Sequence, residues 1–258
     1  MTNSAPHANT RSRRPETRTE TYVSDKHILI RTGGWVGILS GVAILLSSLA
    51  TAITGSIARP DDPSELADFL ADVGSSSYAF HLYGWLGLVG LVLAVPFTYG
   101  LFLLVRGALN EAWLGATFMV GGLIVLFPAY ILAMLTATRL SPLFDDLGEA
   151  ATDSIYVVFE SFGGIATLLF LLGSVLTFSI APWLLSVAWL RTGTSPRWIG
   201  RLGVFAGVTG LAWAAMLLDD PGLLQLIWAI NALANIIWII AAGATMARFH
   251  TTKQPIAT

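Results

Sequence analysis

The sequence predicts an all-α protein: a polytopic transmembrane bundle of six helices with both termini cytoplasmic. Three observations predict it. The chain is 55% hydrophobic and 12% charged, with a mean hydropathy of +0.70, whereas a soluble domain carries about 25% charged residues. Six apolar runs reach the roughly 20 residues a helix needs to cross hydrocarbon. The charges lie almost entirely between those runs, sorted by sign.

The runs cover residues 33–57, 79–105, 112–137, 160–190, 198–218 and 222–247. With the N-terminus inside, twelve of the fourteen basic residues fall on inner segments; only Arg59 and Arg139 fall outside. Eleven of the sixteen acids lie on outer segments: Asp61, Asp62, Glu65, Asp68, Asp72, Asp145, Asp146, Glu149, Asp153, Asp219 and Asp220. Lys and Arg bias sets orientation because basic loops resist translocation. The same bias decides the stretch from Ile155 to Leu190. Two crossings there would move Arg191, Arg197 and Arg201 outside, so a single long helix is expected, starting near Asp153 and kinked by Pro182. Residues 1–30, polar and rich in arginine, read as a disordered cytoplasmic tail, residues 31–250 as the bundle, and residues 251–258 as a second cytoplasmic tail.

Local signals place a further element. In RPDDPSELADFLADVG, Asp62 suits an N-cap, Pro63 the first helical turn and Glu65 the capping box. Leu66, Phe69, Leu70 and Val73 then share one face, which predicts a short helix lying on the membrane surface and ending at Gly74. A second Asp-Asp-Pro precedes the last run, and GGWVGILSGV is similar to PRWIGRLGVFAGV. Duplication and ordinary helix-end composition both account for this, and the motifs are short.

Glycines at four-residue spacing, Gly33, Gly37 and Gly41 with Gly203 and Gly207, let helices approach closely in lipid. They suit either a seam to a membrane-protein partner or second copy, through Gly37, Gly41, Gly203 and Gly207, or packing inside the bundle; the sequence favours packing. Trp113, Trp183 and Trp198 fall near predicted inner boundaries, where indole rings anchor.

Much chemistry is excluded. Without cysteine there is no disulfide, thiolate metal site or cysteine nucleophile. No lysine lies within a run, so a retinal Schiff base has no anchor, and His81 is the only histidine in one. No histidine–carboxylate set has metal spacing, and no phosphate-binding glycine motif occurs. No cofactor, metal or nucleic-acid partner is called for, and an enzyme would need a catalytic pair that is not evident. The candidate ligand-binding residues are Glu160, His81, Arg139, Asn231 and Asn235. Ionisable groups in hydrocarbon are costly and tend to be functional, so Glu160, in YVVFESFGG, stands out. By topology it shares the outer end with His81 and Arg139. The plainer reading has it hydrated at the interface and paired with Arg139. Asn231 and Asn235, one turn apart and near mid-bilayer, suit interhelical hydrogen bonding ahead of ligand binding.

The inner loop RTGTSPRWIGRLGVFAGVTG and the entry Arg-Thr-Gly-Gly-Trp-x-Gly resemble signatures of uncharacterised prokaryotic six-span membrane proteins. The resemblance implies a helical architecture and the cell inner membrane, and carries over no activity. The expected function is non-enzymatic binding of a membrane partner or lipid. The alternative is a small-molecule or proton-coupled carrier or sensor with a polar site around Glu160, His81 and Asn231.

Overall fold

The computed structural model describes residues 17–53, 63–75, 77–147, 152–211 and 222–249, and these are helical apart from short turns. The helices are α1 (Thr17–Ile53), α2 (Pro63–Ser75), α3 (Ser77–Val105), α4 (Leu109–Leu147), α5 (Thr152–Val175), α6 (Ala181–Arg191), α7 (Arg197–Thr209) and α8 (Gly222–Ala247). A π turn, Leu176–Ile180, joins α5 to α6 in one continuous rod. Five segments are long and apolar enough to cross a membrane: Asp25–Ala50, Phe80–Val105, Leu109–Leu132, Asp153–Arg191 and Leu226–Ala247.

With α5 and α6 taken as one rod, helices adjacent in the bundle run antiparallel and close into a ring. Gly37 of α1 meets the Phe97 ring of α3, and Ser40 Oγ donates to the Gly90 carbonyl at 2.8 Å. Gly84 and Gly87 of α3 receive Met134 and Tyr130 of α4. Gly122 of α4 lies against Gly173 and Thr177, and Gly115 against Leu185. Gly203 and Gly207 of α7 fit Ser186 and Trp183 of α6. On the closing side Gly34 of α1 abuts the backbone of Gly243 and Ala247 in α8. Any Cβ at Gly34 would overlap main-chain atoms, which cannot swing aside as a side chain can.

The core lies inside this ring, where Phe97, Leu101, Leu126, Leu185, Trp189, Trp238 and Met246 are all buried. Phe97 meets Trp238 edge to face at a centroid distance of 6.1 Å. The outward faces are apolar as well: Leu39, Val42 and Leu46; Val89 and Val92; Ile165, Leu168 and Leu172; Ile230, Leu233 and Ile237 are exposed. A helix that is hydrophobic all round fits a bilayer.

Several expectations are revised. The fifth expected run, 198–218, is described only as far as residue 211, with α7 over Arg197–Thr209, so the described residues hold five of the six expected spans. Residues 212–218 and the second Asp-Asp-Pro lie outside the described residues. The tail boundary at residue 30 falls inside α1, which starts at Thr17, and Ile30 is fully buried. The single rod from Asp153 to Arg191 is present. Its distortion near Pro182 is the π turn.

The short helix forms, but its apolar face turns onto protein. Leu66 and Leu70 pack with Ile155 and Phe159 of α5, with Leu140 of α4 alongside, while Glu65, Asp68 and Asp72 are exposed. Full burial of a leucine contributes about 1.5–3 kcal/mol, so two fix this helix in place. They can do so because α4 continues to Leu147, ten residues past the apolar run that ends at residue 137.

Gly37, Gly41, Gly203 and Gly207, weighed above as a seam to another protein, are buried against Phe97, Ile240, Trp238 and Trp183 of the same chain. They serve the ring.

Candidate functional site

Three of the five candidate residues stand at the end of the bundle where α2 packs. Glu160 is 31 residues from Arg191 along the α5–α6 rod, about 46 Å at 1.5 Å per residue. Arg139 is 30 residues from the start of α4, about 45 Å, and His81 is 24 residues from the end of α3, about 36 Å. The side chains of Glu160, Arg139 and His81 are exposed. Glu160 follows Phe159, and Arg139 precedes Leu140, two residues that pack with α2. The common end is therefore built by α2, and the three do not line the cavity described below.

The asparagines are placed differently. Asn231 and Asn235 are buried on α8, where they complete the π turn. In an α-helix the Phe178 carbonyl would accept from the N–H four residues on, and that residue is Pro182, which has none. The backbone widens instead, with Ala181 N–H bonding back five residues to Leu176. Asn235 Nδ2 donates to the Phe178 carbonyl at 3.0 Å, and Asn231 Nδ2 reaches the same oxygen at 3.3 Å. Asn231 Nδ2 also donates to the Ala206 carbonyl at 2.5 Å, near the end of α7. Ser179 Oγ donates to the Gly207 carbonyl at 2.6 Å. Thus one side-chain cluster bonds carbonyls of two helices, at the π turn and in the last turn of α7, where the Ala206 carbonyl also accepts from the Gly210 N–H at 2.9 Å. Asn235 Oδ1, Ser174 Oγ, Thr177 Oγ1, Ser186 Oγ and Trp238 Nε1 are buried in this region without a protein partner, and buried water commonly serves such atoms.

The opposite end, carrying Arg31, Arg106, Arg191, Arg197, Arg201 and Arg248 as exposed side chains, is the basic end. There α3 turns into α4 through residues 106–108, and α6 into α7 through residues 192–196. The second turn uses Gly193 at φ 67°, a left-handed conformation that glycine adopts without strain. Trp189 Nε1 holds the turn by donating to the Pro196 carbonyl at 3.2 Å. Arg191 pairs with Glu111 across α6 and α4, and His27 of α1 stacks on Phe249 beyond α8 at 5.4 Å.

Between these elements lies a cavity of about 880 Å³. Its polar lining comprises Lys26, Arg106, Thr192, Thr194, Ser195 and Thr245, and its apolar lining Phe102, Leu103, Leu104, Leu109 and Phe249. Thr192 Oγ1 is tied to the Ala188 carbonyl at 2.9 Å and lies 2.8 Å from Thr194 Oγ1. Thr245 Oγ1 is tied to the Ala241 carbonyl at 3.0 Å. The cavity therefore presents fixed hydroxyl oxygens beside two cations, with an apolar wall. No cluster of three metal-ligating side chains occurs among the described residues.

No family model, curated protein or solved structure matches this chain. Sequence reasoning missed the cavity because its residues come from four separate stretches, around positions 26, 106, 194 and 245. The one available signal was that each lies at the end of an apolar run on the basic side.

Proposed function

We propose that the protein is a non-enzymatic, multi-pass membrane protein that binds a membrane lipid at its basic end, which faces the cytoplasm together with both termini. The observation that carries this reading is the cavity at the ends of the spans, where Lys26 and Arg106 adjoin an apolar wall of Phe102, Leu103, Leu104 and Phe249. A site with a charged head and an apolar flank at the bilayer boundary matches an amphiphile. The interior polar groups support the same reading, because Asn231, Asn235 and Ser179 are spent on helix carbonyls. A carrier using Glu160, His81 and Asn231 would need them along one route, whereas the first two are exposed and the third is buried on α8. The cell inner membrane is the expected location, in keeping with the resemblance to six-span prokaryotic proteins. Native mass spectrometry of protein extracted in mild detergent tests the proposal. Retention of about one lipid per chain through detergent exchange is expected, and a lipid-free spectrum under the same conditions contradicts it.

A further inference from the structure

The cavity has a charge character that its walls make specific. Two cationic side chains, Lys26 from α1 and Arg106 from the turn after α3, line one space, and no carboxylate lines it among the described residues. Glu111, the nearby acid on α4, is engaged by Arg191. Asp25, beside Lys26 on α1, is exposed and is not part of the described lining. Arg106 has no ion pair among those described, and its guanidinium forks well to phosphate oxygens. Ser195 offers a hydroxyl with no described partner, beside the Thr192–Thr194 pair. The apolar flank, Phe102 to Leu104 with Leu109, belongs to the very ends of two apolar spans. A ligand whose charge meets Arg106 would thus lay its chains along hydrocarbon-facing helix.

We propose that this cavity selects the phosphate headgroup of an anionic phospholipid, with Arg106 and Lys26 holding the phosphate and Ser195 and Thr194 contacting the polar head. Zwitterionic lipids carry a compensating cation that two basic residues repel. Basic pockets between transmembrane helices recognise anionic headgroups on this principle. The inference rests on the lipid-binding reading above and adds the headgroup class.

The test uses the full chain in nanodiscs and delipidated in detergent, with phosphatidylglycerol and phosphatidylcholine of identical acyl chains. Phosphatidylglycerol is expected to bind at least tenfold more tightly. Arg106→Gln and Lys26→Gln are each expected to weaken it roughly fivefold, the equivalent of about 1 kcal/mol per basic residue at a membrane surface. Arg201→Gln, exposed and outside the cavity lining, is expected to stay within about twofold, since an exposed charge is screened. Phosphatidylglycerol with a headgroup-proximal photolabel is expected to mark residues 102–109 and 192–195 in wild type, a readout independent of whether a variant folds. Equal retention of both lipids, or labelling elsewhere, overturns the headgroup inference and leaves lipid binding standing. Retention of neither overturns both. Inorganic phosphate binding as tightly as phosphatidylglycerol overturns the lipid as the source of the phosphate.

Discussion

Two seams of the ring use the same kind of hydrogen bond with different consequences. Between α1 and α3, Ser40 and Ser47 donate to the carbonyls of Gly90 and Tyr83 at 2.8 and 2.9 Å. Those carbonyls lie within the uninterrupted helix α3, which supplies each with its own backbone donor. Between the α5–α6 rod, α7 and α8, Asn231, Asn235 and Ser179 reach carbonyls at a π turn and at a helix end. In the first seam the side-chain bond is an addition to a satisfied ladder. In the second, the asparagine bonds to the Phe178 carbonyl stand where Pro182 removed a donor, whereas the Ala206 carbonyl also accepts from the Gly210 N–H at 2.9 Å. Interhelical polar bonds average about 0.6 kcal/mol, but orphaning a buried carbonyl costs about 1–3 kcal/mol. The contrast shows that a polar bond in a membrane bundle matters through the state of its acceptor.

The contrast can be broken or sharpened by substitution, beginning with packing. Gly34→Leu forces a side chain into the backbone of Gly243 and Ala247, so a loss of about 3 kcal/mol or more is expected. It should appear as a non-monodisperse elution profile, and a monodisperse variant with wild-type melting would refute the close approach of α1 and α8. Next comes the joint change Asn231→Leu with Asn235→Leu, expected to cost about 2–3 kcal/mol in detergent unfolding. Repeating it on Pro182→Ala restores an N–H four residues beyond Phe178, and the cost should fall by at least about 1 kcal/mol. The same cost in both backgrounds would show that the asparagines do not stand in for the missing donor. Ser179→Ala removes the donor to Gly207 and is expected to lower stability by about 1 kcal/mol, measured in the same assay. Smallest is Ser40→Ala, expected at about 0.5 kcal/mol or less; a loss as large as that of the asparagine pair would erase the distinction.

The parts visible in the sequence were those set by local pattern. Five of the apolar runs, the short helix opening at Pro63 and the single long rod from Asp153 all come from neighbours in the chain; the capping residue Asp62 lies outside the described residues. Asn231 and Asn235 were readable as interhelical bonding groups because buried amides in lipid seek partners. Their particular acceptor was not, although Pro182 marked where a donor would be missing. Which helix faces that gap depends on ring order and helix rotation, and neither leaves a periodic trace. The direction of α2's apolar face was also hidden, since it depends on how far α4 overshoots. Glu160 drew notice because its neighbours are apolar, yet those neighbours include Ile155 and Phe159, which cover α2. The cavity was invisible for the same reason as the ring: four separate stretches meet there, and linear order does not say so.

The overshoot of α4 has a practical consequence. Residues 138–147 extend α4 beyond the apolar run that ends at residue 137, about 15 Å of helix against which α2 packs. A detergent belt or lipid disc that covers the spans leaves this rigid stub protruding on one side. Single-particle images of so small a protein would then carry a built-in marker of up and down, and an antibody fragment raised against the stub would enlarge that marker without touching the lipid-facing surface.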